Sequence, residues 1–334
     1  MICGEERMRR TALRAIAALT AVLAAFVVLP SSSVSAQSAD DSAALSVSPP
    51  TSSIDVGVGQ KYVKKIGLDN ISDLTRIVSV EVHNFAANGE DGEARLTQDE
   101  SSYSLKDWIK VSPSVATIKP REHQDFEVTI TVPPNAPPGG HFGAVVFSPS
   151  AGAATGGASL SVVSQVTSLI LLRVPGDAKE AASIQSLTAC TAKDSTKTKC
   201  DKSTSVFRSN DLAFTTRVQN SGNVQVMPQG TITVRNMLGK KVAQIPLTGA
   251  NVLPDSVRRF ETKWKAKHPF GQYKVTVDLK YGSTDQTLSK STTFWIFPVT
   301  TILVGLGVLF AVFFVGWLPR KRWKKAFKAL AAGD

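Results

Sequence analysis

The side chains able to do chemistry are few and scattered. His83, His123, His141 and His268 show no H-E-x-x-H or other paired spacing that would present two imidazoles to zinc from one helix face. No G-x-S-x-G elbow accompanies them, so a Ser-His-Asp hydrolase has no nucleophile. The acidic run at residues 88–93 lacks the D-x-D-x-D-G spacing of a calcium loop and reads as a solvated turn. The glycines of residues 152–157 precede no Lys-Ser or Lys-Thr pair, and a loop tip explains them better than a phosphate cradle. Tyr103 and Trp108 could stack on sugars, although a Trp in a strand pattern more often fills a core. These absences argue against an enzyme, and neither a metal nor a cofactor is expected.

Cys190 and Cys200 remain. They are the only cysteines outside the N-terminal leader, and the nine residues between them are polar. In an oxidising compartment this favours a structural disulfide over two free thiols, worth roughly 2 to 3 kcal/mol for so short a loop. A redox pair would want a C-x-x-C spacing, which is absent.

The compartment follows from the two ends of the chain. Residues 294–319 form an uncharged apolar run, followed at once by Arg320, Lys321, Arg322, Lys324 and Lys325. A bilayer core of about 30 Å needs about 20 such residues, so this run is expected to span the membrane as a helix. Lysine and arginine concentrate on the cytoplasmic side, which places residues 320–334 inside as a basic tail, with Trp295 and Trp317 as interfacial anchors. Upstream, Arg7, Arg9, Arg10 and Arg14 precede an apolar stretch, and Val34-Ser35-Ala36 supplies small residues for cleavage. Residues 1–36 therefore read as a signal peptide, with Met8 as an alternative start. The expected protein is a single-pass type I plasma-membrane protein with its bulk outside.

A net charge of +11 invites a nucleic-acid reading, and the distribution of charge removes it. Much of the excess lies in the leader and the tail. Between them, residues 37–175 carry 10 basic against 15 acidic side chains and residues 176–297 carry 18 against 9. The two halves of the ectodomain are thus oppositely charged.

Both halves read as all-β. Val78, Val80 and Val82 alternate, as do Phe126, Val128, Ile130 and Val132, and later Tyr273, Val275, Val277, Leu279 and Tyr281. Turn signals separate such runs: Asn88-Gly89, Leu238-Gly239 and Asn220-Ser221-Gly222-Asn223, where the glycines are expected to supply positive φ. The expected architecture is two tandem immunoglobulin-like β-sandwich domains, residues 37–175 and 176–293, followed by the C-terminal transmembrane helix of residues 294–319. In the first domain the strand of His141, Phe142 and Gly143, introduced by a Pro-Gly-rich turn, is a candidate binding edge, with an ordinary interior strand as the alternative.

Residues 137–147 and 164–180, with residues 218–242, 251–264 and 269–282 in the second half, resemble the two domains of the WxL-interacting proteins of Gram-positive bacteria, the family with domain of unknown function 916. The resemblance runs from about Leu45 to the C-terminus. It implies a Gram-positive-type cell-surface protein whose first domain engages peptidoglycan or secreted WxL-type wall proteins and whose second binds host or matrix proteins. The alternative is a structural spacer subunit of a surface complex.

Overall fold

The computed structural model describes residues 45–150, 164–192, 205–267, 269–297 and 299–317, with the side chains of 300–302 and 315–317 left out. The leader, the basic residues 320–325, Cys200, His268 and the glycine run at 152–157 lie outside the described residues.

The first sandwich faces two sheets against each other. One runs in the order β1 (Leu45–Ser48), β3 (Lys61–Asn70), β8 (His123–Thr131), β6 (Ile109–Ser112); the other β2 (Thr51–Asp55), β10 (Val166–Val174), β9 (Gly139–Pro149), β4 (Arg76–Asn88), β5 (Glu93–Thr97), with β7 (Val115–Ile118) also on β4. Period-two alternation sends Phe126, Val128 and Ile130 of β8 inward to meet Val145 and Phe147 of β9, and all five are buried. The rings of Phe126 and Phe147 meet edge-on at 5.0 Å. Each such buried side chain contributes about 1.5 to 3 kcal/mol.

The second sandwich pairs β11 (Ala182–Thr191), β13 (Asp211–Asn220) and β16 (Val257–Lys265) against a larger sheet. That sheet runs β12 (Val206–Phe207), β18 (Gln286–Ile296), β17 (Gly271–Tyr281), β14 (Gln229–Asn236), β15 (Lys241–Leu247). Its centre is aromatic: Trp264 stacks on Phe214 at 5.7 Å and meets Tyr273 edge-on at 5.4 Å, and Tyr273 stacks on Phe294 at 5.9 Å.

Phe294 corrects the expected start of the apolar helix. The run of uncharged residues is continuous in sequence, but alternation governs its first part: Phe294 and Ile296 are buried in the second core, and Trp295 between them points out, paired with Gln272 of β17. The sandwich therefore extends to Ile296. The helix, α1, comprises Val299–Trp317, 19 residues without a charged side chain. Its described large side chains, from Leu303 to Phe314, are all exposed. Among the described residues no helix is long and apolar enough to cross a membrane; the stretch with described side chains covers only about 18 Å, against about 28 Å for the whole of α1.

Each sandwich closes one end with a buried asparagine. Asn70, at the end of β3, donates from Nδ2 to the carbonyls of Leu74, Ile118 and Lys119 at 2.8, 3.0 and 2.9 Å, while its Oδ1 accepts from Ser72. Asn220, at the end of β13, donates to Val224 and Val252 at 2.8 and 2.9 Å and accepts from the Gly222 amide. These side chains tie together turn and strand-end carbonyls, some of which, like those of Lys119 and Val252, also accept from a backbone amide. Gly222 lacks the positive φ expected of it. It is needed for closeness: a Cβ there would lie 2.1 Å from the Lys179 carbonyl oxygen. Gly89 and Gly239 do have positive φ, 63° and 75°, as their turns require.

Candidate functional site

The candidate edge at His141, Phe142 and Gly143 is an interior strand. β9 pairs with β10 along one side; on the other, β4 pairs from Gly143 onward and the Phe142 amide donates to the Tyr103 carbonyl at 2.8 Å. His141 is buried, its ring nitrogens 3.3 and 3.0 Å from the Ser104 and Pro137 carbonyls and its ring 4.4 Å from that of Trp108. Phe142 lies against Phe85 and Tyr103, and Gly143 under Leu105 and Ile109. In the Pro-Gly turn before the strand Pro134, Asn135, Pro137 and Pro138 are exposed, whereas Gly139 and Gly140 are buried against Asn223 of the second sandwich.

Three sets of contacts, besides a Tyr103–Asp255 hydrogen bond, hold the sandwiches together. The turn between β4 and β5, read from sequence as solvated, reaches the second sandwich instead. Glu90 forms a two-pronged ion pair with Arg217, with Nε at 2.8 Å from Oε2, and the Glu90 carbonyl accepts from the Arg259 amide at 2.7 Å. Asp91 takes the Arg259 guanidinium. Burial alone would lower the Arg259 pKa, but the Asp91 carboxylate outweighs it and holds the group above its ordinary value. The opposite charges of the two halves thus meet here. At a second point the Asn220 corner docks the first sandwich: the Asn223 carbonyl accepts from the Gly140 amide at 2.8 Å, and its Oδ1 accepts from the Lys179 amide at 2.7 Å.

The third set is a hook in the connection. Glu180 accepts from Arg173 of β10 at 2.7 Å and from the Ser283 amide, between β17 and β18, at 2.7 Å. Only 8% of its side chain is exposed. Burial would raise its pKa, yet the Ser283 and Arg173 bonds outweigh burial and hold the carboxyl below its ordinary value.

Between these contacts lies a cleft of about 340 Å³. The outer face of the first sandwich supplies Phe85, Leu169 and Leu171, and the β15–β16 connection supplies Val252 and Leu253. Arg258 is the cation in this wall. It donates to the Asn251 carbonyl at 2.6 Å and lies 6.0 Å over the Phe260 ring, and among the described residues no carboxylate is within ion-pair distance. Burial pulls its pKa below the ordinary value. Its neighbour Arg259, by contrast, is paired. Glu93 also lines the cleft, beyond ion-pair distance of Arg258, so the apolar walls carry one carboxylate and one guanidinium, and an apolar group bearing an anion fits at the Arg258 side.

Among the other sequence candidates, Tyr103 donates to Asp255 across the domain boundary at 3.0 Å, and Trp108 packs against the first core. Trp295 stays 38% exposed and stacks on Phe297 at 5.6 Å. Cys190 is buried, its Sγ 3.5 Å from the Ala213 carbonyl, and the bridge expected to Cys200 falls outside the described residues. Among the described residues no group of three or more His, Cys, Asp or Glu could hold a metal ion. Arg258 was invisible to motif reasoning. The adjacent pair Arg258-Arg259 is its only trace in sequence, and which one is left unpaired depends on the fold.

No protein-family model matches the chain, and no curated protein matches it. Among solved structures it is similar to a chain of the chaperone–tip adhesin complex of CFA/I fimbriae biogenesis, at 11% identity over 76% of this chain and 99% of that one, with a TM-score of 0.37. It is likewise similar to the class 5 fimbriae chaperone CfaA, at 12% identity over 76% and 100% with a TM-score of 0.37, and to the E. coli chaperone DraB, at 12% over 76% and 95% with 0.34. At these values the likeness carries no functional argument.

Proposed function

We propose that the chain is a non-catalytic binding protein of a Gram-positive-type cell surface, held in the plasma membrane by α1, whose ligand enters the cleft between the sandwiches. The observation that carries this reading is Arg258: a half-buried guanidinium in an apolar wall, without the carboxylate that its neighbours Arg217 and Arg259 each possess. A buried cation left unpaired costs stability, and a site that tolerates it is suited to an anionic guest. The carboxylates of peptidoglycan stem peptides, or an acidic segment of a WxL-type wall protein, have that chemistry, and the family resemblance points to the same partners. A host or matrix protein would be a partner of the basic second sandwich. The membrane reading rests on the sequence: the uncharged run of residues 294–319 and the cationic block that follows it favour an anchor. In this reading residues 320–334 lie inside, and Cys190 and Cys200 pair in the oxidising space outside.

The test uses the full chain in lipid nanodiscs, with purified cell wall, carboxylate-bearing muropeptides and purified WxL-type proteins as probes. Arg258→Gln should weaken binding about tenfold or more. Ala94→Trp, which fills the cleft from its β5 wall, should do the same, and Lys110→Gln on an outer strand should bind normally. Unchanged binding by both cleft variants would overturn the cleft reading. The second reading, a rigid spacer, is favoured by the Glu90, Asn223 and Glu180 contacts, and it stands if the parent chain binds none of the probes.

A further inference from the structure

One end of the second sandwich carries large apolar side chains that the fold does not use. β14 ends at Asn236, which pairs with Tyr273 near the start of β17, and Gly271 at that start pairs with Ile296, the last residue of β18. The β14–β15 turn, the entry to β17 and the exit from β18 are therefore at the same end of the sheet. There Met237 is 61% exposed, Leu238 84% and Phe270 62%. The Phe297 ring lies 6.0 Å from Phe270 and 5.6 Å from Trp295, and the Met237 sulfur lies 2.9 Å from where a Cβ on Gly271 would sit. The five side chains form one patch.

The patch is built, not frayed. Asn236 Oδ1 accepts from the amides of both Leu238 and Lys240, at 3.1 and 3.0 Å, and Arg235 donates to the Gly239 carbonyl at 3.0 Å. The turn is held with Leu238 outermost, where a polar residue would cost the fold nothing. Its chemistry is also one-sided. Lys240 and Lys241 follow the tip, Lys267 precedes Phe270, and residues 229–250, 262–277 and 286–317 contain no aspartate or glutamate. Exposed aromatic rings and a Met-Leu tip edged only by cations match the lipid interface, where amphipathic rings sit at the headgroup layer and lysines meet phosphate. From this end the chain passes into α1, two residues beyond Phe297.

We propose that Met237, Leu238, Phe270, Trp295 and Phe297 form a foot seated in the outer headgroup layer of the bilayer that α1 enters, with Lys240 and Lys241 against lipid phosphates. The inference rests on the reading of α1 as a membrane span. It goes further in fixing which end of the second sandwich touches lipid, and it makes the domain stand on the membrane.

The experiment places an environment-sensitive fluorophore on full-length Leu238→Cys and, separately, on Thr284→Cys in the turn at the opposite end of the β17–β18 pair. Both are reconstituted into vesicles of phosphatidylcholine and phosphatidylglycerol, with the parent chain treated identically to subtract its own cysteines. Retention through alkaline extraction and flotation reports the span. Blue-shifted emission at 238, with iodide quenching severalfold weaker than at 284, is the expected result. A floating chain whose label at 238 is quenched like that at 284 overturns the foot and leaves the span intact. Shielding at both positions would mean a domain lying on its side, and that too overturns the foot. A chain that fails to float removes the span, and the foot with it. Phe270→Cys repeats the measurement should Leu238→Cys fold poorly.

Discussion

The Asn70 corner of the first sandwich and the Asn220 corner of the second are built alike, yet their surroundings differ. Around Asn70 the next turn residues are Ser72, which bonds back to the asparagine, and Asp73, whose carboxylate meets Arg121 in the open at 2.9 Å. Around Asn220 the equivalent places hold Gly222 and Asn223, one admitting the Lys179 backbone and the other bonding Gly140 and Lys179. One corner ends its domain; the other receives its neighbour. A side chain buried for local reasons has, in the second copy, been surrounded by residues that turn a strand end into a docking point.

The most drastic way to break this comparison is to damage one core and watch the other. Phe214→Ala and Phe126→Ala should each cost about 3 to 5 kcal/mol. If the second corner and the Glu90 contact couple the sandwiches, denaturant titration of either variant shows one shifted transition. Two separated transitions would mean that each sandwich unfolds alone.

Cutting the corners themselves should cost somewhat less. Asn220→Ala removes the bond to the buried Val224 carbonyl, leaves the Val252 carbonyl with the Val226 amide alone, and frees the docking turn, for a loss of about 1 to 3 kcal/mol. Asn70→Ala should unfold at a similarly lowered denaturant midpoint, but without increased protease cleavage in the connection at residues 175–181. Equal cleavage in both variants would erase the distinction between the corners.

Gly222→Ala sharpens the comparison at a single atom. Its methyl group must displace the Lys179 backbone, costing about 1 to 3 kcal/mol, whereas Ser72→Ala at the other corner should stay within about 1 kcal/mol. Thermal unfolding of the pair decides this. Glu90→Gln comes next: the ion pair is partly exposed, so the loss is about 1 kcal/mol, and it should shrink further in high salt.

Titration gives the smallest and most selective effects. The Glu180 carboxyl, held low when folded, stabilises the connection above pH 4.5, and that contribution is lost as the pH falls through the folded value. His123 of the first sandwich moves the other way. Hydrogen bonds that its ring donates to Asp69 and then Asp125 raise its pKa, so its contribution is present below pH 6.5 and lost as the pH rises through the folded value. NMR titration of His123 should show the raised pKa, and Asp69→Asn should lower it; no change would remove Asp69 as the cause.

Much of the fold was legible because alternation survives wherever one face is buried. β8 and β17 read directly from Phe126 and Tyr273 with their partners at every second position, whereas β9 is buried on both faces and shows no alternation. Alternation also existed in Phe294, Trp295 and Ile296, but all three residues are apolar, so the pattern merged into the helix that follows. The docking contacts were not legible. Glu90 and Asp91 look like any solvated turn until the two domains are placed side by side, and Arg258 differs from Arg259 only in what the fold sets opposite each. The matching spacing of Asn70-Ile71-Ser72-Asp73-Leu74 and Asn220-Ser221-Gly222-Asn223-Val224 was the one signal in sequence that could have revealed the corners.

The exit of β18 into α1 has a mechanical meaning. With only residues 297 and 298 between strand and helix, a pull applied between the sandwiches and α1 enters the second sandwich along the axis of β18. That strand shares eleven paired positions with β17, and its ladder bonds lie across the direction of pull. The load is then carried in shear by many bonds together, where a strand peeled from its end would surrender them one at a time.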